Sequence, residues 1–284
     1  MKKIKLIAVI FCALLLILLI IWTAWGNTAL TVSEYKVLSD RIPAAFSGFR
    51  IAQISDLHNA QFGPDNQELV GLLKGAVPDI IVLTGDLIDS RKTDTDTALS
   101  FARQAVSIAP CYYVPGNHEA RISQYPEFVD RLKACGVQVL SSKQVTLTRG
   151  NARIALLGIE DPSFYDDYLF GDTASVTQRL LQDISRDEDL YTVLLAHRPE
   201  LFDVYAGQNI DLVFSGHAHG GQFSLPFAGG LFAPNQGLFP QYDAGLFAQG
   251  STQMIVSRGI GNSIIPFRFN NRPEIVIAQL ENPQ

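Results

Sequence analysis

Cysteine is scarce in this sequence, with three among 284 residues. Three thiols cannot build a disulfide framework, so the fold must be held by a hydrophobic core, and 47% of the residues are hydrophobic. Cys111 and Cys135 lie in apolar surroundings and are predicted to be free buried thiols, with one disulfide as the alternative. Internal repeats and low-complexity tracts are also absent, and the composition is neither disordered nor fibrous.

Positive charge is also in short supply. The chain has 22 lysines and arginines against 28 aspartates and glutamates, a formal net charge of −6. An acidic protein is poorly suited to neutralise nucleic-acid phosphates, so nucleic-acid binding is not expected as its main role. Nothing in the sequence indicates a protein partner.

One segment lacks charge altogether. Leu6–Trp25 is apolar except for Thr23, and three lysines precede it within the first five residues. A helix of this length spans roughly 30 Å, the thickness of the hydrocarbon core of a bilayer. The segment therefore predicts a transmembrane signal-anchor, with residues 1–26 forming the basic flank and anchor and residues 27–284 the folded domain.

The lysines also predict the orientation of this anchor. Under the positive-inside rule the basic flank stays in the cytoplasm, which places residues 27–284 outside the cell membrane. Trp22 and Trp25 fit the aromatic belt of the far interface. A weak cleavage pattern at 24–26 keeps open the alternative that the segment is removed.

Strand-like and helix-like patterns alternate through the rest of the chain, which predicts one α/β domain with layered, mixed sheets. Strands are predicted at Phe49–Ile54, Asp79–Leu83, Cys111–Val114, Tyr191–Ala196 and Asp211–Phe214, with later strands at Met254–Ser257 and Glu274–Leu280. Helices are predicted at Gln67–Ala76, Thr97–Ile108, Tyr125–Cys135 and Thr173–Ile184. Two long stretches, Glu160–Asp172 and Phe223–Gly250, are predicted to be irregular; such loops are often lids, although simple core packing is the alternative.

The sequence has only five histidines, and each lies a few residues after a predicted strand. The carboxyl ends of strands are where α/β proteins collect ligands and catalytic groups. Carboxylates occupy the same places, which gives the segments Asp56-Leu57-His58, Gly85-Asp86-Leu87-Ile88-Asp89, Gly116-Asn117-His118-Glu119, His197-Arg198 and Gly216-His217-Ala218-His219.

Imidazole and carboxylate ligands suit Mn²⁺, Fe²⁺ or Zn²⁺ and do not form the all-oxygen shell that Ca²⁺ prefers. Residues two apart in extended backbone point the same way, so Asp56 and His58 are expected to reach one ion. By the same spacing His217 and His219 are expected to reach neighbouring ions. The sequence therefore predicts a site for two divalent metal ions.

These segments, in this order, resemble the calcineurin-like metallophosphoesterase superfamily, and the Gly-His-Ala-His-Gly-Gly-Gln run is similar to its membrane-associated bacterial branch. The resemblance implies an α-β-β-α sandwich with two mixed sheets. It also implies that Asp86 bridges two ions, one held with Asp56, His58 and His219 and the other with Asn117, His197 and His217. His118 is then a catalytic residue that faces the scissile phosphate, with Asp89 orienting it.

The implied activity is a phosphodiesterase or phosphomonoesterase whose nucleophile is a hydroxide that bridges the metals. Two divalent ions leave such a site electropositive, so it can attract a phosphate ester although the chain is acidic. A pyrophosphatase acting on nucleotide-linked lipid or envelope precursors is the alternative. Ser90-Arg91 replaces the Arg-Gly of protein phosphatases, which disfavours phosphoprotein substrates. Arg91 and Arg198 are candidate phosphate contacts, with ion pairing as the alternative.

Overall fold

The computed structural model of the chain describes residues 2–165 and 172–283. Six of its strands form a first mixed sheet in the order β1-β16-β2-β3-β4-β5. Its strands are β1 (Thr31–Leu38), β2 (Arg50–Ile54), β3 (Ile80–Thr84), β4 (Cys111–Val114), β5 (Gln138–Val139) and β16 (Glu274–Glu281). The neighbours from β2 to β5 are parallel, and only the pair of β16 with β2 is antiparallel.

A second mixed sheet of six strands has the order β14-β15-β9-β8-β7-β6. Its strands are β6 (Lys143–Arg149), β7 (Ala152–Gly158), β8 (Thr192–Leu195), β9 (Leu212–Ser215), β14 (Gly245–Gln249) and β15 (Thr252–Val256). The hairpins at both edges are antiparallel and the interior pairs are parallel. Two small hairpins lie between β9 and β14, built from β10 (Ser224–Leu225), β11 (Gly229–Gly230), β12 (Phe232–Ala233) and β13 (Gly237–Leu238).

Six α-helices lie among the described residues, besides short 3-10 turns. They are α1 (Lys2–Thr28), α2 (Gln67–Gly75), α3 (Thr95–Val106), α4 (Tyr125–Ala134), α5 (Thr173–Gln182) and α6 (Phe202–Ala206). The apolar helix α1 exposes almost all of its side chains and is long enough to cross a membrane. The other five helices are amphipathic or short, and each buries one side against a sheet.

The two sheets pack face to face, and the helices cover their outer faces in four layers. Alternation along each strand produces this arrangement, because successive side chains leave opposite faces of a sheet. In β3, Ile81 and Leu83 pack with α2–α4, whereas Val82 joins the core between the sheets. In β8, Leu194 packs with α5 and α6, whereas Val193 faces the other sheet. The predicted α-β-β-α sandwich is confirmed.

A buried side chain ties the two sheets together where their strands end. Gln53 of β2 donates from Nε2 to the Thr84 hydroxyl (2.9 Å) and to the Ser215 carbonyl (2.8 Å). Thr84 ends β3 and Ser215 ends β9. The carboxyl ends of strands from both sheets therefore meet at one edge of the sandwich, and the residues that follow these strands are brought together there.

The predicted helices and strands lie within two residues of those observed, but two details of the prediction were wrong. Residues 223–250 are not irregular throughout, since they contain β10–β14. Cys111 and Cys135 are free, as predicted, but only Cys111 is fully buried. Of the other predicted irregular stretch, residues 162–164 form a single helical turn, and 166–171 lie outside the described residues.

Candidate metal centre

The predicted ligands follow five strands at one edge of the sandwich, each within four residues of the end of its strand. Asp56, Asp86, His197 and His217 lie two residues beyond the ends of β2, β3, β8 and β9, and Asn117 lies three beyond β4. All are buried. Three strands of the first sheet and two of the second thus contribute to one cluster.

The backbone carries these side chains in a way that the extended-strand argument did not foresee. Five of the seven predicted ligands have φ between 45° and 64°, in the left-handed region: Asp56, His58, Asp86, His217 and His219. Such conformations are uncommon outside glycine and concentrate at functional sites. Asp56 and His58 do reach one point, as expected, but because the chain turns sharply off the strand and not because it continues extended.

The first group of side chains gathers around the carboxylate of Asp56. Its Oδ1 lies 3.4 Å from Nε2 of His219 and 3.9 Å from Nε2 of His58. The two imidazole nitrogens are 3.2 Å apart. Three ligand-type atoms therefore converge on one point within the protein.

The second group gathers around Asp86. Its Oδ2 lies 3.3 Å from Nε2 of His197 and 3.6 Å from Nε2 of His58. Nδ1 of His217 lies 3.2 Å from Nε2 of His197. Asp86 therefore stands between the two groups, as a bridging ligand would.

The hydrogen bonds of two histidines leave the right nitrogens for a metal. Nδ1 of His197 donates to the Thr84 carbonyl (2.8 Å), and Nε2 of His217 donates to Oδ1 of Asn235 (3.0 Å). In the neutral rings, the nitrogens left with lone pairs are the two that face each other at 3.2 Å. Two imidazoles on one ion at 2.0–2.1 Å place their nitrogens about 3.0–3.4 Å apart, so the spacing fits a shared divalent ion.

A buried oxygen without a hydrogen-bond donor also indicates a site for a divalent ion. Oδ1 of Asn117 is buried and has no hydrogen-bond partner among the described residues. A buried amide oxygen normally finds a donor, and a metal ion satisfies it equally well. The donor set therefore suits divalent cations.

Burial and mutual repulsion perturb the charges in the cluster. Burial, with the negative Asp86 nearby, raises the pKa of Asp56 to about 6. Burial lowers the pKa of His58 and of His217 to about 3. For His197, burial is outweighed by the attraction of Asp86, which raises its pKa to about 10. The buried carboxylates of Asp56 and Asp86 therefore have little positive charge near them. Bound cations would compensate their negative charge.

His118 lies beside the cluster with its ring held by backbone. Nδ1 accepts the N–H of Ser90 (3.0 Å), and the Ser90 hydroxyl is 3.1 Å away. The Asp89 carboxylate is 3.7 Å from the same nitrogen and instead accepts the backbone N–H (2.8 Å) and Nε (3.0 Å) of Arg91. Because Nδ1 accepts, the proton of the neutral ring lies on Nε2, which faces the Ser263 hydroxyl at 3.4 Å.

The two candidate phosphate contacts have different surroundings. Arg91 pairs with Asp89 and keeps nearly half of its side chain exposed. Arg198 is fully buried and donates to both oxygens of Asp161, at 2.8 and 3.0 Å. The geometry of Arg198 is that of a buried ion pair, which orders the chain after β7.

Glu119 supports the cluster, although the sequence analysis gave it no role. Its buried carboxylate accepts the backbone N–H groups of Asp86 (2.9 Å), Leu87 (2.7 Å) and Gly116 (2.8 Å). It therefore fixes the turn that presents Asp86. Burial, together with the negative Asp86, raises its pKa to about 8. Its place in the Gly-Asn-His-Glu run was the signal that could have revealed it.

Two further supporting residues come from loops distant in sequence. Asn235 holds His217, as described above, and Arg268 is fully buried with Nη2 3.5 Å from Nδ1 of His219. Arg268 also donates to the carbonyls of Arg258 (2.6 Å) and Gly261. No sequence motif marks either residue, because their roles depend on how the loops return to the strand ends.

Comparison with known proteins supports the interpretation of this cluster as a metal centre. A family model described as calcineurin-like phosphoesterase matches residues 49–221. The chain is 29% identical to the uncharacterized metallophosphoesterase YkuE of Bacillus subtilis strain 168, covering 88% of this chain and 85% of YkuE. It is 28% identical to phosphodiesterase YaeI of Escherichia coli K12, covering 82% of each chain.

A third relative joins the same domain to a membrane protein. The chain is 30% identical to the transmembrane protein with metallophosphoesterase domain of Bos taurus, covering 86% of this chain and 55% of that protein. The family match extends over more than half of the chain and includes most of the side chains gathered at the strand ends. The chain therefore belongs to the calcineurin-like phosphoesterases and is a metal-dependent phosphoric ester hydrolase.

Proposed function

We propose that this protein hydrolyses phosphodiesters or phosphomonoesters at the outer face of a membrane, using two divalent metal ions. The observation that carries the proposal is the position of Asp86, whose Oδ2 lies 3.6 Å from Nε2 of His58 in one buried group of ligand-type side chains and 3.3 Å from Nε2 of His197 in the other. Among divalent ions, Mn²⁺, Fe²⁺ and Zn²⁺ suit a mixture of imidazole, carboxylate and amide ligands.

The first ion would be held by Asp56, His58, Asp86 and His219. The second would be held by Asp86 and the buried groups of the neighbouring strands: Asn117, His197 and His217. When bound, such a pair of ions polarises the phosphoryl oxygens and supplies a nucleophilic water at neutral pH. Glu119 and Asn235 keep the ligands in place through the hydrogen bonds described above.

His118 would act on the substrate directly. Because the Ser90 N–H donates to Nδ1, the ring presents Nε2–H, which can donate a hydrogen bond to the leaving oxygen as charge builds there. Asp89 lies close enough to attract a proton on Nδ1 if the ring becomes doubly protonated. Arg91, which pairs with Asp89, is retained as a candidate contact to phosphate, and Arg198 is given a structural role.

Helix α1 would anchor the enzyme. Residues 1–26 would carry the lysine-rich flank on the cytoplasmic side and the membrane span, and residues 27–284 would form the catalytic domain outside. The exposed apolar surface of α1 supports its insertion into a membrane, because a soluble protein would have to hide that surface from water.

The test is an assay of the purified full-length chain in detergent with Mn²⁺, Zn²⁺ and Mg²⁺ in turn. The substrates are bis-p-nitrophenyl phosphate, p-nitrophenyl phosphate and a nucleotide-diphosphate sugar. We expect ester hydrolysis with Mn²⁺ or Zn²⁺ and little cleavage of the sugar nucleotide. Cleavage of the sugar nucleotide alone would instead indicate a pyrophosphatase, and inactivity toward all three substrates with every metal would contradict the proposal.

A further inference from the structure

The membrane helix is attached to a loop of the active site. We call residues 260–268, between β15 and β16, the rim loop. Asn27, in the last turn of α1, accepts the backbone N–H of Arg268 (2.7 Å) and donates to the Arg268 carbonyl (2.8 Å). This pair of bonds fixes the end of α1 against the rim loop.

An apolar groove of about 550 Å³ lies between α1 and the rim loop. Leu19, Ile20 and Ala24 line one side, and Pro266 and Phe267 line the other. The helical residues from Leu19 to Asn27 extend for about 12 Å along the axis, and most of this length falls within the apolar span. The groove therefore begins at the depth of the lipid chains and ends at the polar Asn27.

A more polar cavity of about 350 Å³ continues from the end of this groove. The two share Asn27, Thr28 and Asn262 as lining residues, and Gln61 and Gly261 line the polar cavity beyond them. Together they form an amphipathic site, with an apolar part beside the membrane helix and a polar part beside the folded domain.

The rim loop also touches the metal centre. The Ser263 hydroxyl is 3.4 Å from Nε2 of His118, and Nη2 of Arg268 is 3.5 Å from His219. Gly261, which lines the polar cavity, lies so close to His58 that an added Cβ would be 3.0 Å from its Cβ. The polar end of the amphipathic site is therefore separated from His58 by Gly261 alone, and the rim loop that lines it also reaches His118 and His219.

We propose that the substrate is a membrane lipid bearing a phosphate ester, whose hydrocarbon chain lies in the groove while its phosphate reaches the metal centre. This inference rests on the proposed function and names its substrate class. A lipid chain is the expected occupant because one wall of the groove is the membrane helix itself. Lipid tails are as apolar as the groove, so the groove contributes position and not affinity: it points the phosphate toward His118.

The test compares two esters that differ only in their alkyl group, methyl p-nitrophenyl phosphate and hexadecyl p-nitrophenyl phosphate. The full-length chain is assayed with Mn²⁺ in phosphatidylcholine nanodiscs. Ile20→Trp places a bulkier side chain in the groove, and the matched control Ile21→Trp changes the next residue, which does not line it. The exposed fractions of Ile20 and Ile21 are 58% and 59%, so the same substitution changes the exposed apolar surface of the helix to the same extent at both positions.

We expect Ile20→Trp to lower the ratio of hexadecyl to methyl kcat/KM by about tenfold, because the chain can no longer orient the phosphate. Ile21→Trp should leave the ratio as in the wild type, since partition of the ester into the nanodisc is the same for both variants. Phe267→Ser, on the opposite wall, should act like Ile20→Trp and serves if that variant fails to fold.

The outcomes separate this inference from the proposed function. Equal ratios for Ile20→Trp, Phe267→Ser and Ile21→Trp, with the methyl ester still hydrolysed, would overturn the groove as a lipid site and leave the phosphoesterase intact. Hydrolysis of neither diester by the wild type, together with inactivity toward the monoester p-nitrophenyl phosphate, would instead defeat the proposed function.

Discussion

Asp86 is the carboxylate on which both groups of ligand-type side chains depend. We expect Asp86→Asn to lose bound metal and activity together, because the amide cannot supply the second anionic oxygen that two cations share. His118→Ala should keep its metal and lose about 10²–10⁴-fold in kcat, because only the donor to the leaving oxygen is removed. Metal analysis and kinetics of both purified variants check this. An Asp86→Asn enzyme with full metal and full activity would refute the bridging role.

Arg198 illustrates a residue whose burial decides its role. We expect Arg198→Met to destabilise the protein by about 3–5 kcal/mol, because it leaves the Asp161 carboxylate buried without its partner. KM should change little if the side chain does not contact substrate. Thermal unfolding and kinetics of the purified variant measure both quantities, and a raised KM with unchanged stability would restore Arg198 as a phosphate contact.

The pair of Arg198 with Asp161 also makes the difference in unfolding free energy between wild type and Arg198→Met depend on pH. Burial raises the pKa of Asp161, but the attraction of Arg198 outweighs it and lowers the pKa below its usual 3.8. A carboxyl with a lowered pKa stabilises the fold above that usual value, and the contribution is lost as the pH falls through the folded pKa. Without Arg198, burial is the largest influence left on Asp161 and holds its pKa above 3.8. The difference between wild type and Arg198→Met should therefore be largest at neutral pH, and it should shrink as the pH falls through the pKa of Asp161 in the variant and then through that in the wild type.

The sequence predicted which side chains gather at the strand ends, but not all of the residues that hold those side chains in place. The seven proposed ligands could be named because they follow strands within short motifs. Asn235 and Arg268 could not, because each reaches its histidine from a loop whose path is set by tertiary packing. The role of Asp89 in orienting His118 stays a prediction: its carboxylate lies 3.7 Å from Nδ1 of His118. The same nitrogen accepts the N–H of Ser90, a backbone donor that no side-chain pattern reveals.

The turns that follow the strands require glycine at particular positions. A Cβ at Gly116 would overlap Oδ1 of Asp86, the atom that accepts the His118 backbone N–H. We expect Gly116→Ala to lower metal affinity by about 10–100-fold, the usual effect of disturbing a group that positions a ligand. Gly71→Ala is the control: Gly71 lies in α2 with nothing within 4 Å of the added atom, and helix propensity predicts about 1 kcal/mol of stabilisation. Metal titration measures both variants. A metal affinity for Gly116→Ala equal to that of Gly71→Ala and the wild type would contradict the role given to Gly116.

The elements that the sequence missed have weak local patterns. β14 pairs with β15 across a tight turn, and its side chains are mostly exposed, so it shows no buried face. Helix α6 has only five residues and depends on burying Phe202 and Tyr205 against the second sheet. Short elements of this kind are stabilised by tertiary contacts more than by propensity, whereas the long buried strands carry their own signal.

The whole molecule joins an apolar helix, long enough to span a membrane, to the folded domain with little chain between them. Helix α1 ends at Thr28 and β1 begins at Thr31. Arg272 donates to the carbonyls of Ala29 (2.8 Å) and Leu30 (2.5 Å) and lies 4.8 Å from the ring of Trp25. The apolar run predicted an anchor, but not this attachment, because the partners are more than 240 residues apart in sequence.

The lysine-rich flank makes a prediction about the orientation of the whole molecule. We expect Phe227→Cys, at a fully exposed position of the folded domain, to react with a membrane-impermeant maleimide in right-side-out vesicles. Ile4→Cys, beside the lysines, should react only in inside-out vesicles, because the positive flank stays on the cytoplasmic side. The parent chain, with its own three cysteines, gives the background. Reversed labelling would place the metal centre in the cytoplasm, and the substrate would then have to be a lipid of the inner leaflet.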